Sequence, residues 1–293
     1  MVRHEHRNAV RNNLIMWAFM APALAYLFVW KIIPLAYTLF LSFTRYNPLK
    51  GRPPILKGAQ NYLSILRDPE IFSALGRTLV FMVAATLLEF IFGLIVALFM
   101  DTGVKGTKVF RMVYIAPMVV TPAVAGMIWY LLFHEKLGAV AMLLRLFGVS
   151  SGLLNTASTS LLGIIITDVW HYTPFILLLL SAALTSIDRD IYEASTVDGA
   201  NWHQQIFHIK LPQIKGAIIS AVILRSMDAF RIYDEIAIMT GGGPGTSTET
   251  VSMLIYKQAF KFFNIGNASA LVIILLIATM ITYIGYMKFV DVN

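Results

Sequence analysis

The chain has 293 residues, 58% of them hydrophobic and only 13% charged, with a mean hydropathy of +0.72. A soluble domain carries roughly 25% charged residues, so the composition excludes one and requires a membrane protein. Cysteine is absent, which excludes disulfides and thiolate metal sites. The net charge of +7 sits in short loops flanking apolar runs, where it reports topology and not nucleic-acid binding.

Residues 1–13 form a polar, basic tail with Arg3, Arg7 and Arg11. The apolar run that follows begins at Leu14 and contains Ala23-Leu24-Ala25, which imitates a signal-peptidase site. A signal peptide's apolar region is about 7–15 residues, whereas this run continues through Pro34 to Phe43 and is read as an uncleaved first span. Residues 44–72 are too polar for lipid. Runs over 78–100, 110–133, 161–184, 216–239 and 268–289 are each long enough to cross a ~30 Å hydrocarbon core. The expected fold is therefore an all-α six-span bundle, 14–293, preceded by a cytoplasmic tail, 1–13. Lys and Arg are denser in the shorter loops on the N-terminal side, which makes that side cytoplasmic.

Pro117 and Thr121-Pro122 predict a kink in the third span, whose freed carbonyls need partners. In the fourth span Asp168, Trp170, His171 and Tyr172 cluster. They suit a sugar, which stacks on rings and needs paired donors and acceptors, or else an interfacial aromatic belt, with Asp168 and His171 paired together. The fifth span carries Arg225, Asp228, Arg231, Asp234 and Glu235 at helical spacing. That ladder reads either as an ion-pair seam between spans or as part of a translocation path. Glu89 stands alone in the second span, with Arg225 or Arg231 as possible partners.

Between the fourth and fifth spans, Asp190–Pro212 is the one long amphipathic, water-compatible segment. Asp190 and Glu193 form a capping-box pattern that predicts a helix start. Asp198-Gly199 breaks that helix, and Asn201 with Gln204 caps a second. On the second helix Trp202, Ile206 and Ile209 form one apolar stripe, and Pro212 ends it. Such a pair of helices fits a groove on another protein, or lies on lipid. Glycine-rich Thr240–Pro244 lacks a G-K-[ST] ending and follows a span, so it reads as a turn that folds back and not as a phosphate loop. No Walker motif, metal-ligand spacing or catalytic triad is present, so neither a metal site nor catalysis is expected of this chain.

Glu193-Ala194-Ser195, Asp198-Gly199-Ala200, Ile209 and Leu211-Pro212 resemble the EAA loop of permeases of bacterial ABC importers. Ser195 for the second Ala, Ile206 with Phe207 at the usual Phe, and Gly216 for a second Pro are departures. Ser42-Phe43-Thr44, Gly58, Asn61-Tyr62, Phe110-Arg111, Trp129, Trp170, Pro174-Phe175, and Thr240–Pro244 with Thr248-Glu249-Thr250, Tyr256 and Ala259-Phe260 extend the resemblance to carbohydrate-type permeases such as those for maltose and glycerol phosphate. The resemblance implies a type I importer permease, multi-pass in the bacterial cytoplasmic membrane among its lipid. It implies a second homologous permease subunit, two ABC ATPase subunits that carry ATP and Mg²⁺, and an extracytoplasmic solute-binding protein. The small-molecule solute would be a sugar, oligosaccharide, polyol or glycerol phosphate. ATPase coupling then falls to the loop 188–215, through Glu193, Ala194, Asp198, Gly199, Ala200, Trp202, Ile206 and Ile209. Asp168, Trp170, His171, Tyr172, Arg225, Asp228 and Arg231 are the candidates for the substrate path. The residues alone also admit a secondary transporter using the intramembrane charges as an ion relay, in which the Asp190–Pro212 segment would have no purpose.

Overall fold

Four helices are long and apolar enough to cross a membrane: Met16–Ser42, Pro69–Asp101, Ser160–Thr185 and Ile265–Tyr286. They belong to a computed structural model that describes residues 16–103, 105–146 and 152–291, so the basic tail expected over 1–13 lies outside it. Six spans are reached when two sharply bent helix pairs each count as one: Thr107–Val119 with Pro122–Leu132, and Trp202–Gln213 with Lys215–Ala229. The chain divides into two compact units, one running up to Arg67 and joined by Ile255–Leu275, the other holding Asp68–Leu254 and residues from Leu276 on.

In the first unit, the end of the first span is knitted to a short hairpin, Thr44–Arg45 paired antiparallel with Ile55–Leu56. The Asn61 amide donates to the carbonyls of Ser42 and Thr44, both at 2.8 Å, and Tyr62 shares a hydrogen bond with Ser42. The start of the last helix docks here too. Ile265 N–H donates to the Tyr46 carbonyl at 3.1 Å, and a Cβ on Gly266 would lie 2.0 Å from the Thr44 oxygen. Only glycine allows that approach. The first span itself is 6% buried over its apolar window, so lipid or another protein must cover it.

The second unit is built on the second and fourth spans. Asp68 caps Pro69–Asp101 by accepting from Glu70 N–H, and Pro69 suits the first helical position. Gly93 lets the fourth span approach, since a Cβ there would sit 2.7 Å from Ile176 Cγ2. Ala97, Met100, Ile176, Leu177, Leu180 and Leu184 fill the contact. In lipid such packing stabilises through dispersion, because the tails are as apolar as the side chains.

The third span is not merely kinked. Its two helices meet at 100°. Pro122 cannot donate a hydrogen bond and forces Thr121 into extended backbone (φ −69°, ψ 148°). The fifth span is likewise interrupted: Lys215–Ala229 ends, residues 230–233 are irregular, and Asp234–Met239 forms a separate short helix. After it the chain folds back as expected, with Gly241, Gly242 and Gly245 at φ 62°, 95° and 62°. Thr248, fully buried, ties that turn by donating to the Gly243 carbonyl at 2.9 Å. Arg77 Nε and Thr78 Oγ1 of the second span hold the Glu249 carbonyl and Val251 N–H at 2.8 and 3.0 Å.

Candidate translocation and coupling sites

Arg225 is buried to 2% exposure and collects carboxylates from three helices. Its guanidinium meets Glu89 with two bonds, Nε to Oε2 at 2.6 Å and Nη2 to Oε1 at 3.0 Å, and also bonds Asp168 and Asp228. The Tyr172 ring lies 4.1 Å from its centre. A planar fork of donors is what bidentate carboxylate binding needs, so arginine suits this position better than lysine. Glu89 therefore has a partner, and Arg225 joins the second, fourth and fifth spans as an ion-pair seam.

Asp168 and His171 are not partners of each other. His171 Nδ1 lies 3.1 Å from Glu235 Oε1, and Nε2 lies 2.9 Å from the Val120 carbonyl. That carbonyl is one of those freed by the break in the third span. The expected ladder does not run along one flank, because the helix stops before Asp234 and Glu235. Arg231 reaches Asp228 at 3.6 Å and, among the described residues, forms no salt bridge with Asp234 or Glu235.

Asp168, Tyr172, Arg225, Asp228, Arg231, Asp234 and Glu235 line a polar cavity of about 330 Å³. Small-molecule sites run from about 300 to 1,000 Å³. Asp228 and Arg231 have side chains 50% and 61% exposed, which leaves donors and acceptors for a ligand. Trp170 does not join them. Two residues from both Asp168 and Tyr172 on a helix, it faces the other way, onto Trp129 at 5.8 Å and a separate apolar cavity of about 560 Å³.

In the loop, Asp188 and not Asp190 caps the first helix, Arg189–Val197, by accepting from Asp190 N–H. Glu193, Ala194 and Asp198 are exposed, and Ala200 is half-buried. Gly199 takes φ +81°, a left-handed conformation, and begins the second element. Asn201 and Gln204 form the expected reciprocal capping box, at 2.9 and 2.8 Å. The expected stripe is redistributed. Gln205–Lys210 winds as a π-helix, which changes the register: Trp202 stays exposed, Ile209 is half-buried, Ile206 turns inward at 4% and Phe207 outward at 64%. Pro212 does not end the helix, which runs to Gln213 before the chain bends by 68°. Ser195 explains its own departure from alanine by accepting from the Gln205 amide at 3.1 Å, which stitches the two helices together.

Sequence reasoning missed how this loop is anchored. Lys210 is buried, pairs with Asp101 at the end of the second span and lies 5.0 Å from the Tyr192 ring. Burial, and then the charge of Asp101, push the Tyr192 phenol above its ordinary pKa.

Residues 89–291 match the family model described as "Binding-protein-dependent transport system inner membrane component". The chain belongs to this family. It is a permease of an ABC import system, embedded in the inner membrane, and not an enzyme. The trehalose/maltose transport system permease protein MalF of Thermococcus litoralis is 34% identical over 95% of this chain and 94% of its own. The trehalose transport system permease protein SugA of Mycobacterium tuberculosis is 35% identical over 88% of this chain and 83% of its own. Among solved structures, a bacterial alginate ABC transporter in complex with alginate pentasaccharide-bound periplasmic protein superposes with a TM-score of 0.82, at 18% identity, covering 95% of this chain and 94% of that one. The permease fold is thus shared well beyond the range of sequence similarity.

Sequence reasoning gave His171 to the substrate path and Glu235 to the fifth-span ladder and did not pair them. The His171–Glu235 pair was legible only in retrospect, as a histidine one span away from a proline-freed carbonyl. Lys31 was overlooked inside the first apolar run. It lies exposed there, within a π-helical turn over Phe28–Ile32, and makes no ion pair among the described residues.

Proposed function

We propose that this permease moves an uncharged sugar or oligosaccharide, handed over by a solute-binding protein, through the cavity beside Asp228 and Arg231. The carrying observation is that these two side chains remain half exposed at an intramembrane cavity while Arg225 behind them is saturated by Glu89 and Asp168. Relatives of this chain are named for trehalose and maltose transport. Three carboxylates, Asp168, Asp228 and Asp234, line the cavity against two guanidinium groups, with the Glu235 carboxyl paired to His171. That balance disfavours glycerol phosphate or an acidic sugar and leaves the hydroxyls of a neutral one to pair with Asp228 and Arg231.

Two ABC ATPase subunits would hold ATP and Mg²⁺ and grip the exposed face of the coupling loop, Trp202 and Phe207 included, on the cytoplasmic side. Their closure would shift Arg189–Gln213 as a body and, through Lys210 and Asp101, pull on the second span. The free energy comes from ATP and the partner contacts, since the permease cannot bias its own two states. A second homologous permease subunit would cover the first span and supply a carboxylate for Lys31, because an intramembrane cation requires a partner or water. Uptake by proteoliposomes containing the complex tests the reading. Trehalose or maltose should enter only with ATP inside and binding protein outside, and glycerol phosphate should not. Proton-driven uptake without ATP would refute it.

A further inference from the structure

A second polar cavity, of about 450 Å³, lies in the first unit. Arg45, Lys50 and Arg52 line it with Tyr46, Phe262 and Asn264. All three basic side chains are exposed, and none makes an ion pair among the described residues. Three like charges brought to one concavity repel one another, so the site is completed by an anion.

The frame is rigid. Arg45 is held by the strand pairing with Ile55, and Gly51 turns the hairpin at φ +60°. Between the lining residues Phe262 and Asn264, Phe263 sits at φ +52°, the one positive-φ residue other than glycine among the described residues. A bulky side chain there is a backbone outlier, the kind of strain that persists only where surrounding bonds fix it. Here Phe262 N–H donates to the Lys257 carbonyl, and Asn264 N–H to the Gln258 carbonyl at 2.8 Å. This twist presents Phe262 and Asn264 to the cavity.

The position identifies the anion. Arg45 comes three residues after the first span ends at Ser42, and Asn264 immediately precedes the helix that begins at Ile265. The Tyr46–Ile265 bond joins these two exits. The cavity therefore lies beside the ends of two apolar helices, with exposed Ile55 and Phe262 in its lining. Basic groups with an aromatic and aliphatic rim at a membrane boundary fit a phosphodiester headgroup whose acyl chains continue into the bilayer. We propose that Arg45, Lys50 and Arg52 form a binding site for an anionic phospholipid. The ligand's shared chemistry is a phosphate oxyanion, and the apolar rim selects the lipid over free phosphate.

The test uses the purified full-length permease with its companion subunits, titrated with phosphatidylglycerol or phosphatidylcholine and read by native mass spectrometry. Wild type should retain phosphatidylglycerol preferentially. Each of Arg45→Gln, Lys50→Gln and Arg52→Gln should weaken retention about fivefold, and the triple variant on the order of a hundredfold. Because the three side chains are exposed, unchanged thermal unfolding verifies that the variants fold. Inorganic phosphate alone, added at millimolar concentration, should not displace the lipid. Equal retention of both lipids by wild type, or full retention by the triple variant, overturns the proposal. So does displacement by inorganic phosphate, which would make the ligand a free anion. Wild-type lipid retention in a triple variant that no longer responds to the loaded binding protein would reassign the cations to an acidic protein surface.

Discussion

His171 stands between Glu235 and the Val120 carbonyl, at 3.1 Å from one and 2.9 Å from the other. A carbonyl only accepts, so Nε2 carries a proton. If the imidazole is neutral, Nδ1 is then an acceptor and Glu235 must supply the hydrogen of the other bond. An imidazolium–carboxylate pair holds the same number of protons, with one moved across. Among the described residues Glu235 Oε2 is buried without a hydrogen-bond partner, which an ionised carboxylate tolerates poorly, and the neutral arrangement avoids desolvating two charges.

Glu235→Gln should therefore be nearly neutral for stability, because the amide N–H donates to Nδ1 as the acid does. Glu235→Leu leaves Nδ1 buried and unpaired, at a cost of about 1–3 kcal/mol. Thermal unfolding of the purified complex compares the two. If Gln proves as damaging as Leu, the pair is ionic.

The Arg225 seam and the cavity residues separate by mutation. Arg225→Met strands Glu89 and Asp168 as buried carboxylates, and breaking such a set costs about 3–5 kcal/mol. Little folded permease should reach the membrane. Asp228→Asn leaves Arg225 with both buried partners, so the protein should accumulate normally while losing about 0.5–1.5 kcal/mol of solute contact, up to about tenfold in the KM for uptake. Membrane level by immunoblot and uptake kinetics together decide. A poorly folded Asp228→Asn variant would put that residue in the seam instead.

The spans and the loop were legible because apolar length, Gly199 and the Asn201/Gln204 box are local signals. The interior of the bundle was not. Its partners lie far apart in sequence: Glu89 with Arg225 was one of two pairings left open, whereas Arg225 with Asp168 and His171 with Glu235, 57 and 64 residues apart, were not foreseen, because helical spacing suggested neighbours on the same helix. The break before Asp234 defeated the ladder for the same reason, because no proline or glycine announces it. Trp170 was grouped with Asp168 by adjacency, although a helix turns them to different faces. Ile206 was set outward by a 3.6-residue period that the π-helix does not keep.

Lys31 tests for a companion subunit. If a carboxylate of the second permease meets it, Lys31→Glu should abolish co-purification of that subunit, and a charge reversal on the partner should restore it. Lys31→Met should weaken the association less, since it removes the charge without creating repulsion. Undiminished pull-down of the companion by Lys31→Glu would leave the cation to water or lipid.

The coupling loop yields the sharpest contrast, because adjacent residues have opposite surroundings. Ile206 is 4% exposed and Phe207 64%. Ile206→Ala should act on the permease itself, costing about 2–5 kcal/mol through the cavity it leaves. Phe207→Ala should leave its unfolding temperature unchanged and weaken retention of the ATPase subunits. Gly199→Val adds a third case. Nothing lies within 4 Å of a Cβ there, so the variant meets no clash, only the cost of a β-branched residue at φ +81°, roughly 1–2 kcal/mol. Relieving that strain reorients the helix bearing Trp202 and Phe207 against Arg189–Val197. The permease should remain in the membrane at normal level, while the ATPase subunits dissociate or lose their stimulation by the loaded binding protein. Three measurements on each variant separate the outcomes: membrane level, ATPase co-purification and stimulated hydrolysis. Should Phe207→Ala and Gly199→Val both retain full stimulated hydrolysis, the exposed face of this loop is not where the ATPase grips.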